Sequence, residues 1–337
     1  MSAARGGAAA APGAAQLADI LSAAGPELGA LLERAETRLQ EVAQGHGDAL
    51  ATHAAGTLAA GGKRLRPVLV YVSAGDSSSD ALVEAAVAIE LLHMATLVHD
   101  DVLDGASLRR GRPTVFATGG RSAATATGDL LFSRAFAVLA AVGNADAVRA
   151  LSDASSALAH GELMQRQDAW SADVGVDRYL ERCRLKTARL FEAACRLGAL
   201  LGEPGPAAAT GLGAYGDRIG VAFQIFDDVL DVSGPTERTG KLRGADLLDG
   251  TVTLPLILAR RLDPELARLD LRAVVGDPAA ATALCDRIAG TGALEEARAE
   301  AAGYVAAAKD ELRALMLGER QRQLLELIAD GVVERYA

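Results

Sequence analysis

Residues 81–104 read ALVEAAVAIELLHMATLVHDDVLD, and residues 206–231 read PAAATGLGAYGDRIGVAFQIFDDVLD. Each is an apolar run long enough for roughly seven helical turns. Each ends in the same pentapeptide, Asp-Asp-Val-Leu-Asp, at 100–104 and again at 227–231. A helix sets residues four apart on one face, so Asp100 points with Asp104 and Asp227 with Asp231. Like charges repel at that spacing, and the C-terminal end of the helix dipole adds to the cost. A bound cation resolves both penalties. Hard carboxylate oxygens with an incomplete shell suit Mg²⁺, which keeps water and phosphate oxygens as its other ligands. A single acidic helix end reads equally well as a solvated surface; the repetition on two apolar helices is what favours a metal site.

Working outward, each copy runs into a Gly-rich loop, 105–122 and 233–250, the first carrying Pro113. Three- and four-residue apolar spacing predicts helices over 16–43, 48–60, 68–74, 81–103, 123–142, 145–167, 176–202, 206–232, 251–261, 292–317 and 319–335. No segment reads as strand-rich and no linker divides the chain, so an all-α, single-domain bundle over 16–337 is the expectation. Residues 1–15, Ala/Gly-rich and low in complexity, read as a disordered tail. The 337 residues suffice for a sizeable core, and half are hydrophobic but only 4% aromatic. No uncharged stretch of about 20 apolar residues predicts a membrane span.

The net charge is −10, which argues against nucleic acid as a primary partner. Within that acidic chain, Lys63, Arg66, Arg109, Arg110 and Lys241 fall in Gly-rich stretches beside the apolar helices, as expected for anion recognition by ammonium and guanidinium groups. With two aspartate clusters they describe a pocket for Mg²⁺-bound polyphosphate. Cys183, Cys195 and Cys285 are odd in number and form no CxxC pair. They read as core residues of a protein in a reducing cytoplasm.

The order GGKRLRP, LLHMATLVHDDVLDGASLRRGRPT, KTA, FQIFDDVLD, GK and TLPL resembles the trans-isoprenyl (polyprenyl) diphosphate synthase family over roughly residues 50–260. The resemblance implies an all-α antiparallel helix bundle around a deep central cavity, usually a homodimer, with three Mg²⁺ bridging the motifs to an allylic diphosphate. It implies that Asp100, Asp101 and Asp104 form one metal set and Asp227 and Asp231, with Asp228 nearby, the other. Arg109, Lys186 and Lys241 would grip the allylic diphosphate, with Thr187 and Gln224 lining its site. Lys63, Arg66, His93 and Arg110 would hold isopentenyl diphosphate, and Phe223 would face the allylic cation or simply pack. The implied reaction is sequential 1′-4 condensation of isopentenyl units, with the released diphosphate taking the proton. Peripheral membrane contact during product release is compatible with it. Many members carry a lysine where this chain has Thr251.

Four other residues carry weaker signals. His99 reads as orienting its neighbours, Glu162 and Gln165 as pocket lining, and Trp170 as packing. Ala95 and Thr96, about 6–7.5 Å deeper than Asp100 along the helix, are too small to plug it, which predicts products of about C30 to C50. The other reading is that Ala95 simply packs against a neighbouring helix and that Leu91, Leu92 or Phe132 sets the floor. The alternatives are a short-chain synthase stopping at about C15 to C20, a terpene cyclase, which has no use for the Lys63, Arg66 and His93 set, and a non-catalytic partner subunit, which would have lost a motif.

Overall fold

The computed structural model describes residues 12–44, 47–59, 62, 64–109, 111–234, 242–274 and 277–334. Lys63, Arg110 and Lys241 lie outside the described residues, as do residues 1–11 of the expected tail. Residues 12–15 are not tail: they open helix α1 (Pro12–Ala24). The single helix expected over 16–43 is two, α1 and α2 (Pro26–Gln44). Gly25 between them has φ +76°, a left-handed conformation suited to glycine, and Pro26 starts the next helix with φ already set.

Helices α3 (Asp48–Ala59), α4 (Leu65–Ser73) and α5 (Asp80–Leu103) follow, so the β-branched run from Val68 is helical as read. The loop expected over 105–122 is shorter. It holds a two-residue antiparallel pair, β1 (Leu108–Arg109) and β2 (Arg112–Pro113), with Arg109 opposite Arg112. The Thr114 hydroxyl then accepts from Ala117 N at 3.0 Å and caps α6 (Val115–Ala141), which continues through a kink at Gly120. Next come α7 (Ala145–Asp168), α8 (Val176–Cys183), a π-helical turn (Arg184–Ala188) and α9 (Arg189–Leu201). Helix α10 (Gly205–Ser233) carries the second motif, and a short α11 (Ala245–Leu248) follows it. Helices α12 (Leu254–Leu262), α13 (Pro264–Arg268), α14 (Pro278–Ala289), α15 (Ala293–Arg313) and α16 (Glu319–Glu334) complete the bundle. Helices α13 and α14, for which no expectation was drawn from the sequence, each open on an Asp-Pro pair whose Asp side chain accepts from the first turn.

Helix α5 is the central column. It packs on α6, α4, α2 and α9, while α10 packs on α9 and α15. By length and composition α5 is apolar enough to cross a membrane, but 72% of that window is buried inside the bundle. The three cysteines are buried and free, as expected of core residues.

Candidate active site

The first motif occupies the last turn and C-cap of α5, and the second lies in the last two turns of α10. In the first, the Asp100 carboxyl is pushed up to about 6, chiefly by burial and further by Glu162 and Asp104, against the pull of Lys186 and Arg109. Asp101 faces elsewhere: it is buried, and Arg109 Nε donates to its Oδ1 at 2.8 Å. Arg109 is brought there by the short strand pair, which folds the loop back over the end of α5. Asp104 is more exposed and accepts from Arg166 Nη2 of α7 at 2.5 Å.

The second motif divides the same way. Asp228 is buried, accepting from Tyr179 Oη at 2.6 Å and from Gln224 Nε2 at 2.7 Å. Burial first, and then the charge of Asp246, push its carboxyl up to about 8 despite those two bonds. Asp231 is joined to the start of α11: its carbonyl accepts from Gly244 N at 3.0 Å and its Oδ2 from Asp246 N at 3.3 Å.

What unites the motifs is the π turn. Lys186 Nζ lies 2.5 Å from Glu162 Oε2 and within the field of Asp100. Its neighbour Thr187 donates from Oγ1 to Gln224 Oε1 at 2.6 Å, and Gln224 in turn holds Asp228. Consecutive residues of one turn therefore serve the two aspartate motifs. The turn has room because of glycine: a Cβ at Gly161 of α7 would stand 2.5 Å from Lys186 N, and one at Gly220 of α10 would stand 2.4 Å from Ala188 Cα. π turns recur at functional sites, and this one splays two neighbouring side chains toward different helices.

On the α4 side, Arg64 takes a left-handed φ of 48° at the head of the helix. Such a backbone costs about 1 kcal/mol or more; the guanidinium is secured by Glu36 at 3.0 Å and Glu90 at 2.5 Å. The next arginine, Arg66, stacks over the Phe191 ring at 4.8 Å, and Phe191 meets Phe223 at 5.4 Å. A ring stack thus links the GGKRLRP segment to the residue before Gln224. His93 and Thr96 are half-buried on the same stripe of α5 as Asp100, whereas Ala95 is wholly buried.

The structure therefore gathers Arg66, Asp100, Asp104, Arg109, Lys186, Thr187, Phe223, Gln224 and Asp228. The sequence reading missed Arg64, Arg166, Tyr179 and Phe191, and it weighed Glu162 only as lining. Of these only Arg166 carried a signal, as one helical turn beyond Glu162. Trp170 packs as expected: its backbone N–H donates to Gly250 O at 2.9 Å and its ring covers that glycine. His99 Nε2 lies 3.3 Å from Asp129 Oδ1 but makes no hydrogen bond there, so the expected orienting bond is not seen at that nitrogen. Phe132 is not a floor: it is exposed, with its ring against Phe136. The Asp104–Arg166–Glu162–Lys186 pairs link the end of α5 through α7 to the π turn. A cavity of about 540 Å³ lies elsewhere, between α2, the start of α5 and the end of α6, lined by Arg38, Glu84, Arg134 and Val138 among others.

The donor set fits a hydrated divalent cation. Among the described residues no three carboxylates, imidazoles or thiols converge into a closed ion cage. Asp100 and Asp104 supply hard oxygens one turn apart, and burial of the Asp100 carboxyl beside two other acids disfavours its charge unless a cation arrives. Such a pair suits a hydrated divalent cation whose shell water and phosphate would complete.

The chain matches the family model described as polyprenyl synthetase over residues 48–288. It is 40% identical over 301 residues to heptaprenyl diphosphate synthase component 2 of Geobacillus stearothermophilus, covering 88% of this chain and 93% of that one. It is also 40% identical over 208 residues to geranylgeranyl diphosphate synthase of Methanosarcina mazei, covering 59% and 64%. Among solved structures it resembles a polyprenyl synthase from Caulobacter crescentus complexed with calcium and isoprenyl diphosphate. The TM-score is 0.84 at 33% identity, over 95% of this chain and 98% of that one. With two aspartate motifs joined through one lysine-bearing turn in an all-α bundle, and with these matches over most of its length, the chain belongs to the polyprenyl synthetase family.

Proposed function

We propose that this protein is a long-chain trans-polyprenyl diphosphate synthase, a prenyltransferase that adds isopentenyl units to an allylic diphosphate. The observation that carries the reading is the π turn, whose Lys186 and Thr187 serve the first and second aspartate motifs. Asp100, Asp104, Asp227 and Asp231 would hold Mg²⁺, three ions per site in this reading. Mg²⁺ when bound supplies neutralisation of the charge that grows on the departing diphosphate.

The chain's own residues do the rest. Lys186 and Arg109 bind and orient the allylic diphosphate, with Lys241 joining them, and their fixed charges favour the transition state over the ground state. Arg66, with Lys63, Arg110 and His93, binds isopentenyl diphosphate, and stacking on Phe191 sets the Arg66 guanidinium plane. Phe223 presents a ring face to the allylic cation. The apolar walls of α5 and α10 exclude water that would quench it. The leaving diphosphate accepts the final proton, so this reading needs no protein base. A homodimer is proposed on family grounds; the heptaprenyl relative is named as one component of a synthase, which makes a second polypeptide the other arrangement.

The test is incubation of the purified chain with Mg²⁺, isopentenyl diphosphate and an allylic primer, with product length read by chromatography. Prenyl diphosphates beyond C20 are the expected result. Cyclic hydrocarbon products, or products no longer than C20, would overturn it; no elongation by the chain alone would favour the two-polypeptide arrangement over the homodimer.

A further inference from the structure

Among the described residues, Arg166 is a cation beside the first motif to which the sequence motifs assign no role. It projects from the last turn of α7, three residues before the C-cap at Ala169, and meets one acid on its own helix and one at the end of α5. Its Nε donates to Glu162 Oε1 at 2.8 Å, one turn back on α7, and its Nη2 reaches Asp104 Oδ1 at 2.5 Å on α5. Glu162 is nearly buried and gives its other oxygen to Lys186 at 2.5 Å. The result is a row of alternating charges, Asp104–Arg166–Glu162–Lys186, laid across the space between the first motif and the π turn.

Asp104 has one carboxylate oxygen engaged by a guanidinium, and a divalent cation bound at either oxygen of that carboxylate would sit close to the same positive charge. A monovalent guanidinium and a divalent ion cannot both approach one carboxylate at bonding distance without strong repulsion. We propose that Arg166 and the divalent cation compete for Asp104. On this account Arg166 latches the first motif to α7 until a metal–diphosphate arrives; once displaced, it becomes a ligand of the diphosphate. The proposal rests on the reading of Asp104 as a metal ligand given above.

The geometry favours a swing over a departure. The Nε bond to Glu162 is independent of Asp104, so it persists when Nη2 is released. The guanidinium then stays anchored beside Lys186 with its terminal nitrogens turned to an incoming anion, the bidentate geometry to which arginine is suited. An ordinary surface ion pair of this exposure contributes about 1 kcal/mol or less, which sets the size of the effect.

Mn²⁺ is the probe, its free fraction read by electron paramagnetic resonance, with wild type, Arg166→Ala and Asp104→Ala compared and folding checked by circular dichroism. Arg166 is about 42% exposed in its side chain, so its removal opens no core cavity. With Mn²⁺ alone, Arg166→Ala should bind about two- to fivefold more tightly than wild type, the factor corresponding to a competing pair of that strength. With saturating inorganic pyrophosphate the order should reverse, the variant holding the Mn²⁺–pyrophosphate pair several-fold more weakly. Unchanged or weaker Mn²⁺ binding by Arg166→Ala overturns the latch, and so does failure of the order to reverse. If Asp104→Ala binds Mn²⁺ as well as wild type does, the metal-ligand reading itself falls, and the latch with it. Weakened Mn²⁺ binding by Asp104→Ala beside an unaffected Arg166→Ala removes only the latch.

Discussion

Asp101 and Asp228, the second residues of two copies of one pentapeptide, are buried to the same 4% exposure and are both bonded to protein groups. Arg109 holds the first, and Tyr179 with Gln224 holds the second. In each motif the second carboxylate thus works inward, fixing a side chain of the site, while the first and fifth are the proposed cation ligands. The repetition of sequence is a repetition of this division of labour.

Removing the Tyr179 hydroxyl tests that division at the second motif. Tyr179→Phe leaves Asp228 Oδ2 buried with one donor fewer, a loss of about 1–3 kcal/mol. A lower thermal midpoint is expected, together with a reduced kcat, because Gln224 and Thr187 depend on the same carboxylate. A variant with unchanged melting and unchanged turnover would show that Tyr179 does not hold the motif.

The outer carboxylates should behave differently. Asp100→Ala and Asp227→Ala are expected to lower kcat by about a hundredfold or more, the scale seen when an electrostatic contribution to the transition state is lost. Their helical circular dichroism should be intact. For Asp100 a gain in stability without metal is expected, since the replaced carboxyl is disfavoured by burial and by Glu162 and Asp104. Turnover near that of wild type in Asp100→Ala would sink its assignment as a ligand.

Gly161 supplies a backbone test of the π turn. Alanine would gain about 1 kcal/mol of helix propensity. Its Cβ, however, would sit 2.5 Å from Lys186 N and 2.9 Å from Leu185 C, backbone atoms that cannot turn aside. Overpacking of that kind costs about 1–3 kcal/mol, so the clash should win. Gly161→Ala is expected to melt lower and to raise the KM for the allylic substrate as α7 is pushed from Lys186. A stabilised, fully active variant would mean that the close approach is dispensable.

The two diphosphate sites should separate kinetically. Lys63→Ala is expected mainly to raise the KM for isopentenyl diphosphate, and Lys186→Ala mainly to impair use of the allylic substrate, leaving Glu162 without its ammonium partner. Equal effects of both variants on both substrates would overturn this partition of the cations.

The motifs were legible because their information is local. Asp100 and Asp104 need only helical spacing to share a face, and the apolar run before them needs only periodicity to be a helix. The parts that were not legible depend on close approach between segments far apart in sequence. Nothing around Lys186 in the sequence signals a π turn, because that geometry answers to Gly161 on one neighbouring helix and Gly220 on another. Tyr179 is an aromatic on an apolar face until α10 brings Asp228 against it. Arg166 looks like a solvated helix end until Asp104 is seen to face it. The break at Gly25-Pro26 is a different matter: its signal was present, and the apolar periodicity running through it masked it.

Chain length is the last expectation, and the structure refines where to test it. Thr96, four residues before Asp100, lies about 40° from it around the helix, while Ala95 lies about 140° away. Thr96 is half-buried on the stripe that leads to the motif, its hydroxyl donating to His93 O at 2.8 Å. Ala95 has no exposed surface and packs within the core. A ring placed at Thr96 therefore enters the path of the growing chain about 6 Å below Asp100 with little disturbance of packing. A ring at Ala95 must also displace core neighbours, at about 1–3 kcal/mol. Thr96→Phe is expected to shorten the product toward C15–C20 with wild-type melting, and Ala95→Phe to shorten it with a lower thermal midpoint. Chromatography of the products alongside a thermal melt separates the two effects. If Thr96→Phe leaves the product distribution unchanged while Ala95→Phe shortens it, the chain grows along the Ala95 face; if neither variant changes it, the length limit lies on another helix.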